Sequence, residues 1–185
     1  MVSASSSNGP PAPDANAGEL AALEEWPRRQ ATVLPRSLGP ERIVLPAAMR
    51  DQIVAHARAA APAEACGLII GDRPAAEGGR AVRWEPTRNR LGSAVRYEID
   101  PDDLLRLTIT TDDADEVFWA IVHSHTHSPA VPSATDIGLA FYPDALYVLV
   151  SLAPDEADRI TGRESLRAWR ILDGTIQEIP VGIED

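Results

Sequence analysis

The sequence predicts a mixed α/β or α+β domain, and three observations carry that expectation. Short apolar runs bounded by turn residues, at Leu68–Ile70, Val117–His123 and Leu146–Leu152, read as buried strands. Between them lie stretches with helical spacing and proline or aspartate at their starts. Near the C-terminus, Asp173-Gly174 separates two apolar runs, the mark of a two-residue hairpin. With 185 residues, 44% of them hydrophobic, the chain is long enough for one domain with a proper core and too short for two sizeable ones.

Residues 1–40 are rich in Ala, Pro and Ser, with prolines at positions 10, 11, 13, 27, 35 and 40, and read as a disordered tail. Within it, Gly18–Trp26 puts Leu20, Leu23 and Trp26 on one side of a helix too short to persist in isolation. Residues 41–185 carry the globular pattern. A strand is expected at Arg42–Leu45, then a helix opening at Pro46 whose buried stripe is Met49, Ile53 and Ala57. The strand at Leu68–Ile70 follows Glu64-Ala65-Cys66-Gly67, which sets Glu64 at its mouth. Arg80–Glu85 and Val95–Ile99 supply two further strands. Asp100 caps a helix that starts at Pro101 and buries Leu104, Leu105 and Leu107, and an acidic turn through Asp112, Asp113, Asp115 and Glu116 follows. Val117–His123 is the central strand, Ser133–Phe141 a helix stopped by Pro143, Leu146–Leu152 a strand, and Leu166–Leu172 with Thr175–Val181 the closing hairpin.

The net charge of −11 and pI near 4.7 argue against nucleic acid or an anionic membrane as partner, since both reward clustered positive charge. Every basic residue is arginine, which removes lysine Schiff-base chemistry. Cys66 is the single cysteine, so no intrachain disulfide forms, in keeping with a reducing cytoplasm. No run approaches 18 apolar residues and no basic segment precedes an apolar one, so the expected location is cytoplasmic.

Three of the four histidines fall within His123-Ser124-His125-Thr126-His127, at the end of an apolar strand. Side chains at i and i+2 of a strand share a face, so His123 and His125 can converge on one ion. A third ligand from Asp136, in the first turn of the next helix, leaves the fourth position of a zinc ion open for water, as a catalytic site needs. Taken alone, a His-x-His pair reads equally well as two surface histidines. Ser133-x-x-Asp136 also has a second reading, as a helix cap related to the capping box, and spacing does not separate cap from ligand. Cys66 shares a strand face with Glu64 and is expected as a small buried residue, and His56 is expected at the surface.

His123-x-His125, seven residues, Ser133-x-x-Asp136, and Glu64 upstream in Glu-Ala-Cys-Gly-Leu resemble the signature of the JAMM (MPN+) metalloprotease family. Most of that family has proline after the second histidine, where this chain has Thr126. The His-Ser-His-Thr form is similar to a bacterial subgroup, the CysO-cysteine peptidases. Further similarity to it runs through Pro62–Leu68, Tyr97-x-Ile99-Asp100, Tyr147–Ser151 and Arg170-Ile171-x-Asp173-Gly174, and covers about residues 42–181. The resemblance implies a central mixed β-sheet flanked by helices. It also implies one zinc ion per chain on His123, His125 and Asp136, proton handling by Glu64, and a Ser133 hydroxyl that steadies the tetrahedral intermediate.

What the subgroup acts on sets the expected partner: a small ubiquitin-like sulfur carrier with a Gly-Gly tail, from whose C-terminus cysteine is released during cysteine synthesis. The tail is expected to add to a sheet edge beside the histidine-bearing strand. The loops Asp72–Gly79 and Thr126–Pro132 are expected to shape its channel, with His127 a candidate substrate contact. Arg88, Arg90 and Arg96 are candidate partners for the cysteine carboxylate. Two alternatives remain: the same zinc site acting on isopeptide conjugates or carrier precursors, and a non-catalytic scaffold of the same fold, for which five intact site residues are superfluous.

Overall fold

The computed structural model describes residues 39–153, 155–161 and 165–185. Of the expected tail over 1–40, all but Gly39 and Pro40 lies outside them, as does the short helix at Gly18–Trp26. Strand β1 (Ile43–Pro46) runs directly into helix α1 (Ala47–Ala60), for which Pro46 is the N-cap. Then come β2 (Cys66–Gly71), β3 (Ala81–Thr87), α2 (Pro101–Asp112), β4 (Val117–His125), α3 (Ala134–Gly138), β5 (Leu146–Ser151), α4 (Glu156–Thr161), β6 (Leu166–Leu172), β7 (Thr175–Ile179) and β8 (Val181–Glu184).

Six strands form one sheet in the order β3-β2-β4-β5-β6-β7, while β1 and β8 make a separate parallel pair. Only the β4–β5 pairing of the large sheet is parallel, so the sheet is mixed as expected. The two-residue period of the strands divides the core into two layers. Ile69, Ala120, Val122, Val148 and Val150 pack with Met49, Ile53 and Ala57 of α1, whose fourfold spacing the sequence displays. Leu68, Ile121, Tyr147 and Leu149 form the opposite layer with Leu107 of α2. In the closing hairpin Asp173 and Gly174 both have positive φ, 49° and 77°, the pattern of a turn whose twist matches its strands.

Several expectations change. Val95–Ile99 is not a strand: its one ladder contact is the bridge Asn89↔Ile99, and Val95 is 74% exposed. Its backbone partners are local instead, Arg90 N–H donating to Glu98 O and Glu98 N–H to the Asn89 side chain. On α2 Leu107 is buried and Leu104 packs partly buried against the core as expected, and Thr111 is buried as well, but Leu105 is 61% exposed, because adjacent positions on a helix cannot both face the sheet. The helix expected over Ser133–Phe141 ends at Gly138. Leu139 and Phe141 beyond it meet no core, Phe141 being 71% exposed. Helix α4 has no apolar period to announce it. No helix among the described residues is long and apolar enough to cross a membrane.

Candidate metal centre

β4 lies between β2 and β5, and its last residues carry the site. Cys66 stands opposite His123, and His123 opposite Leu149, so the ring of His123 sits at the end of the second core layer, fully buried. His125 is two residues further along the same face and also buried. The strand is pinned there: Ser124 N–H donates to Ala65 O at 3.0 Å, and Ala65 N–H donates to Ser124 Oγ at 2.8 Å.

Asp136 reaches the two rings from α3. Ser133 caps that helix, Asp136 N–H donating to Ser133 Oγ at 3.2 Å and Ser133 N–H donating to Asp136 Oδ2 at 2.6 Å, so the capping box is complete. The same carboxylate places Oδ1 3.3 Å from His123 Nε2 and Oδ2 3.5 Å from His125 Nε2, while the two Nε2 atoms are 3.2 Å apart. Cap and ligand candidate are thus one side chain, so the cap leaves the ligand reading of the spacing open.

The donor set suits a metal. A tetrahedral zinc site with bonds of about 2.0–2.1 Å has ligand–ligand edges of about 3.3–3.4 Å, and the separations observed here bracket that value. His125 Nδ1 is 2.7 Å from the carbonyl of Pro129. A carbonyl only accepts, so Nδ1 carries the proton and Nε2 keeps its lone pair toward the cluster. Burial drives the pKa of His123 down against the pull of Asp136. For His125 burial acts the same way, but the hydrogen bonds to Asp136 and Pro129 O, with the charges of Asp136 and Glu64, together outweigh it and the net shift is upward. Burial alone raises Asp136, yet the two histidines hold it far below the ordinary carboxylate range, so it is ionised.

Glu64 precedes β2 and is 6% exposed. Its carboxylate has no hydrogen bond or ion pair among the described residues. Its pKa is raised to about 7, chiefly by burial, with the neighbouring charge of His125 lowering it and that of Asp136 raising it. A carboxyl group poised near neutrality beside three convergent donors is what a general base requires.

A model of the prokaryotic homologs of the JAB domain matches residues 46–172, most of the chain. The chain belongs to this JAB family. It is 42% identical to the CysO-cysteine peptidase of Mycobacterium tuberculosis over 145 residues, covering 76% of this chain and 90% of that one. It is 33% identical to the desampylase of Haloferax volcanii over 148 residues, covering 77% and 97%. The solution structure of a protein from Desulfitobacterium hafniense superposes with a TM-score of 0.64 at 29% identity, covering 77% of this chain and 93% of that one.

Around the site this JAB-family fold departs from the sequence reading in three places. The loop Asp72–Gly79 lies at the far end of β2, because β2 runs away from Cys66 and the histidines, so it does not border the site. Its place is taken by the segment Arg88–Ile99, of which Val95–Ile99 is expected from the sequence as a strand. That segment brings the ring of Tyr97 to 4.4 Å from His123 and the side chain of Asn89 to the carbonyl of Glu64. Nor can a peptide add beside β4, which is hydrogen-bonded on both edges. The loop Thr126–Pro132 does flank the site, tied down by Ser151 Oγ to Ser128 O and by Trp169 Nε1 to Ala130 O.

Of the arginines, Arg88 pairs with Asp100 and Asp103, and Arg90 with Glu98. Arg96 is exposed and has no ion pair among the described residues. His127 is exposed, its Nδ1 2.6 Å from Thr126 Oγ1. Cys66 is buried, its thiol at Thr87 Oγ1 and its pKa pushed up to about 11, mainly by burial, so it is inert. His56 is half-buried against Trp84 rather than at the surface.

Proposed function

We propose that this chain is a zinc-dependent metallopeptidase of the cytoplasm. It hydrolyses an amide bond at the C-terminus of a ubiquitin-like sulfur carrier and releases cysteine. The observation that carries the reading is the convergence of His123, His125 and Asp136 beside the buried carboxyl of Glu64. Similarity to the CysO-cysteine peptidase supports the choice of substrate.

His123, His125 and Asp136 hold one zinc ion, which when bound polarises a carbonyl and brings the pKa of its water from about 15.7 to roughly 7. Glu64 takes the proton of the attacking water and returns it to the departing amine, work for which a buried carboxyl with no hydrogen-bond partner among the described residues is free. Ser133 caps α3 through an oxygen lone pair. That bond does not use its O–H hydrogen, which remains to donate to the developing oxyanion. The carrier tail approaches the site across the surface that Arg88–Ile99 and Thr126–Pro132 form beside it. Arg96 takes the carboxylate of the departing cysteine, and His127 contacts the tail.

The deciding assay mixes the full chain with a carrier ending in Gly-Gly-Cys and follows the product by intact mass. Release of one residue is expected from the parent, a raised KM from Arg96→Ala, and no turnover with zinc still bound from Glu64→Gln. Unchanged turnover in Glu64→Gln sinks the mechanism. The likeness to a desampylase favours a second reading on the same centre, cleavage of isopeptide conjugates of a ubiquitin-like protein. Cleavage of an isopeptide conjugate alongside an intact cysteine adduct selects it.

A further inference from the structure

This inference rests on the metal-centre reading above and concerns how its first ligand is held. A metal-binding histidine is normally oriented by a hydrogen bond to its other ring nitrogen. His125 follows the rule through Pro129 O at 2.7 Å, with Ser128 Oγ 3.1 Å from the same nitrogen. His123 does not: its Nδ1 is buried and has no hydrogen-bond partner among the described residues. What it has instead is the ring of Tyr97, stacked at a centroid distance of 4.4 Å and an interplanar angle of 20°.

We propose that Tyr97 is a positioning residue that fixes the imidazole plane of His123 by stacking, and that Asn89 anchors the segment which presents it. Tyr97 lies in no helix or strand, so its placement depends on how Arg88–Ile99 is fastened. Asn89 spends its whole hydrogen-bonding capacity on the task. Nδ2 donates to Glu64 O at 2.9 Å and Arg96 O at 3.1 Å, and Oδ1 accepts from Leu91 N–H at 3.1 Å and Glu98 N–H at 3.2 Å. Glu64 N–H donates to Ser93 O at 2.8 Å, and Thr126 Oγ1 donates to Ala94 O at 3.0 Å. The segment is therefore stitched to the residue carrying the base and to the residue after His125. One fastening serves both, so the base and the first ligand are set relative to each other.

The test is zinc affinity of the full chain, measured by competition with a chromogenic chelator, together with the visible spectrum of the cobalt-loaded protein. Tyr97→Phe keeps a flat ring and is expected to bind zinc as the parent does. Tyr97→Leu fills the space without a plane and is expected to weaken zinc about 10–100-fold and to shift the cobalt bands. The metal-free thermal midpoint of Tyr97→Leu is expected to stay near the parent's, which separates orientation from loss of fold. Asn89→Asp keeps the bonds that Oδ1 accepts, loses those that Nδ2 donates, and moves affinity the same way. Parent-like zinc affinity in Tyr97→Leu, or equal weakening in Tyr97→Phe, overturns the role of the stacked plane. A parent that binds no zinc overturns the metal-centre reading itself, and this inference with it.

Discussion

Glu64 shows at the scale of one residue how folding prepares chemistry. Burial raises its pKa from an ordinary 4.5 to about 7, so the folded chain holds that proton more tightly than the unfolded one. The associated stability is fully present below pH 4.5 and is lost as pH rises through about 7. Other groups move oppositely: His123, lowered, costs stability as pH falls through its ordinary range near 6.5. Comparison with a variant isolates Glu64. Between pH 4.5 and 7.5, the metal-free parent is expected to lose on the order of 2 kcal/mol relative to metal-free Glu64→Gln, by urea unfolding at both pH values. Parallel pH profiles for the two proteins would mean that the carboxyl is solvated rather than held in a dry site.

The start of β2 does the corresponding work at the scale of an element. Gly67 follows Cys66 and faces β3 so closely that a Cβ there would sit 2.3 Å from Trp84 Cη2 and 2.5 Å from Glu85 O. Both partners belong to a paired strand, so neither yields cheaply. Gly67→Ala is expected to cost about 1–3 kcal/mol of stability, as overpacking does. It is also expected to lower turnover more than Ala substitution at a distant exposed position, because Glu64 hangs from the same strand. Chemical denaturation and kcat read the two effects, and a variant as stable as the parent would mean β3 is free to move aside. Elements were legible in the sequence where the signal is local. The α1 stripe, the Asp173-Gly174 turn and the His-x-His pair depend only on period and neighbouring residues. Arg88–Ile99 was not legible, since Asn89 bonds Glu64 and Tyr97 stacks on His123 across 25 and 26 residues of chain. The direction of β2, which sends Asp72–Gly79 away from the site, is set by topology and leaves no mark on the strand itself.

Across the whole molecule, the candidate centre joins parts of unequal solidity. His123 and His125 belong to the buried middle strand of a six-stranded sheet. Asp136 belongs to α3, five residues long with none of them buried, held by its capping box and its reach to the two rings. A helix of that length has no stability of its own in water. The candidate ligand set is legible from spacing and resemblance, but this difference in support appears only once the burial of each element is known. It fixes what metal removal should do. A metal that binds the folded chain alone raises its stability by mass action, so stripping zinc from the proposed site is expected to lower the thermal midpoint. The loss is not expected to be uniform. Amides of Asp136–Leu139 and of the preceding loop should exchange faster after chelation, while those of β2, β4 and β5 keep their protection. Hydrogen exchange followed by mass spectrometry, with and without chelator, resolves the two regions. Equal acceleration in α3 and β4 would show the metal stabilising the domain as a unit, and unchanged α3 would show the capping box sufficient to place Asp136 without it.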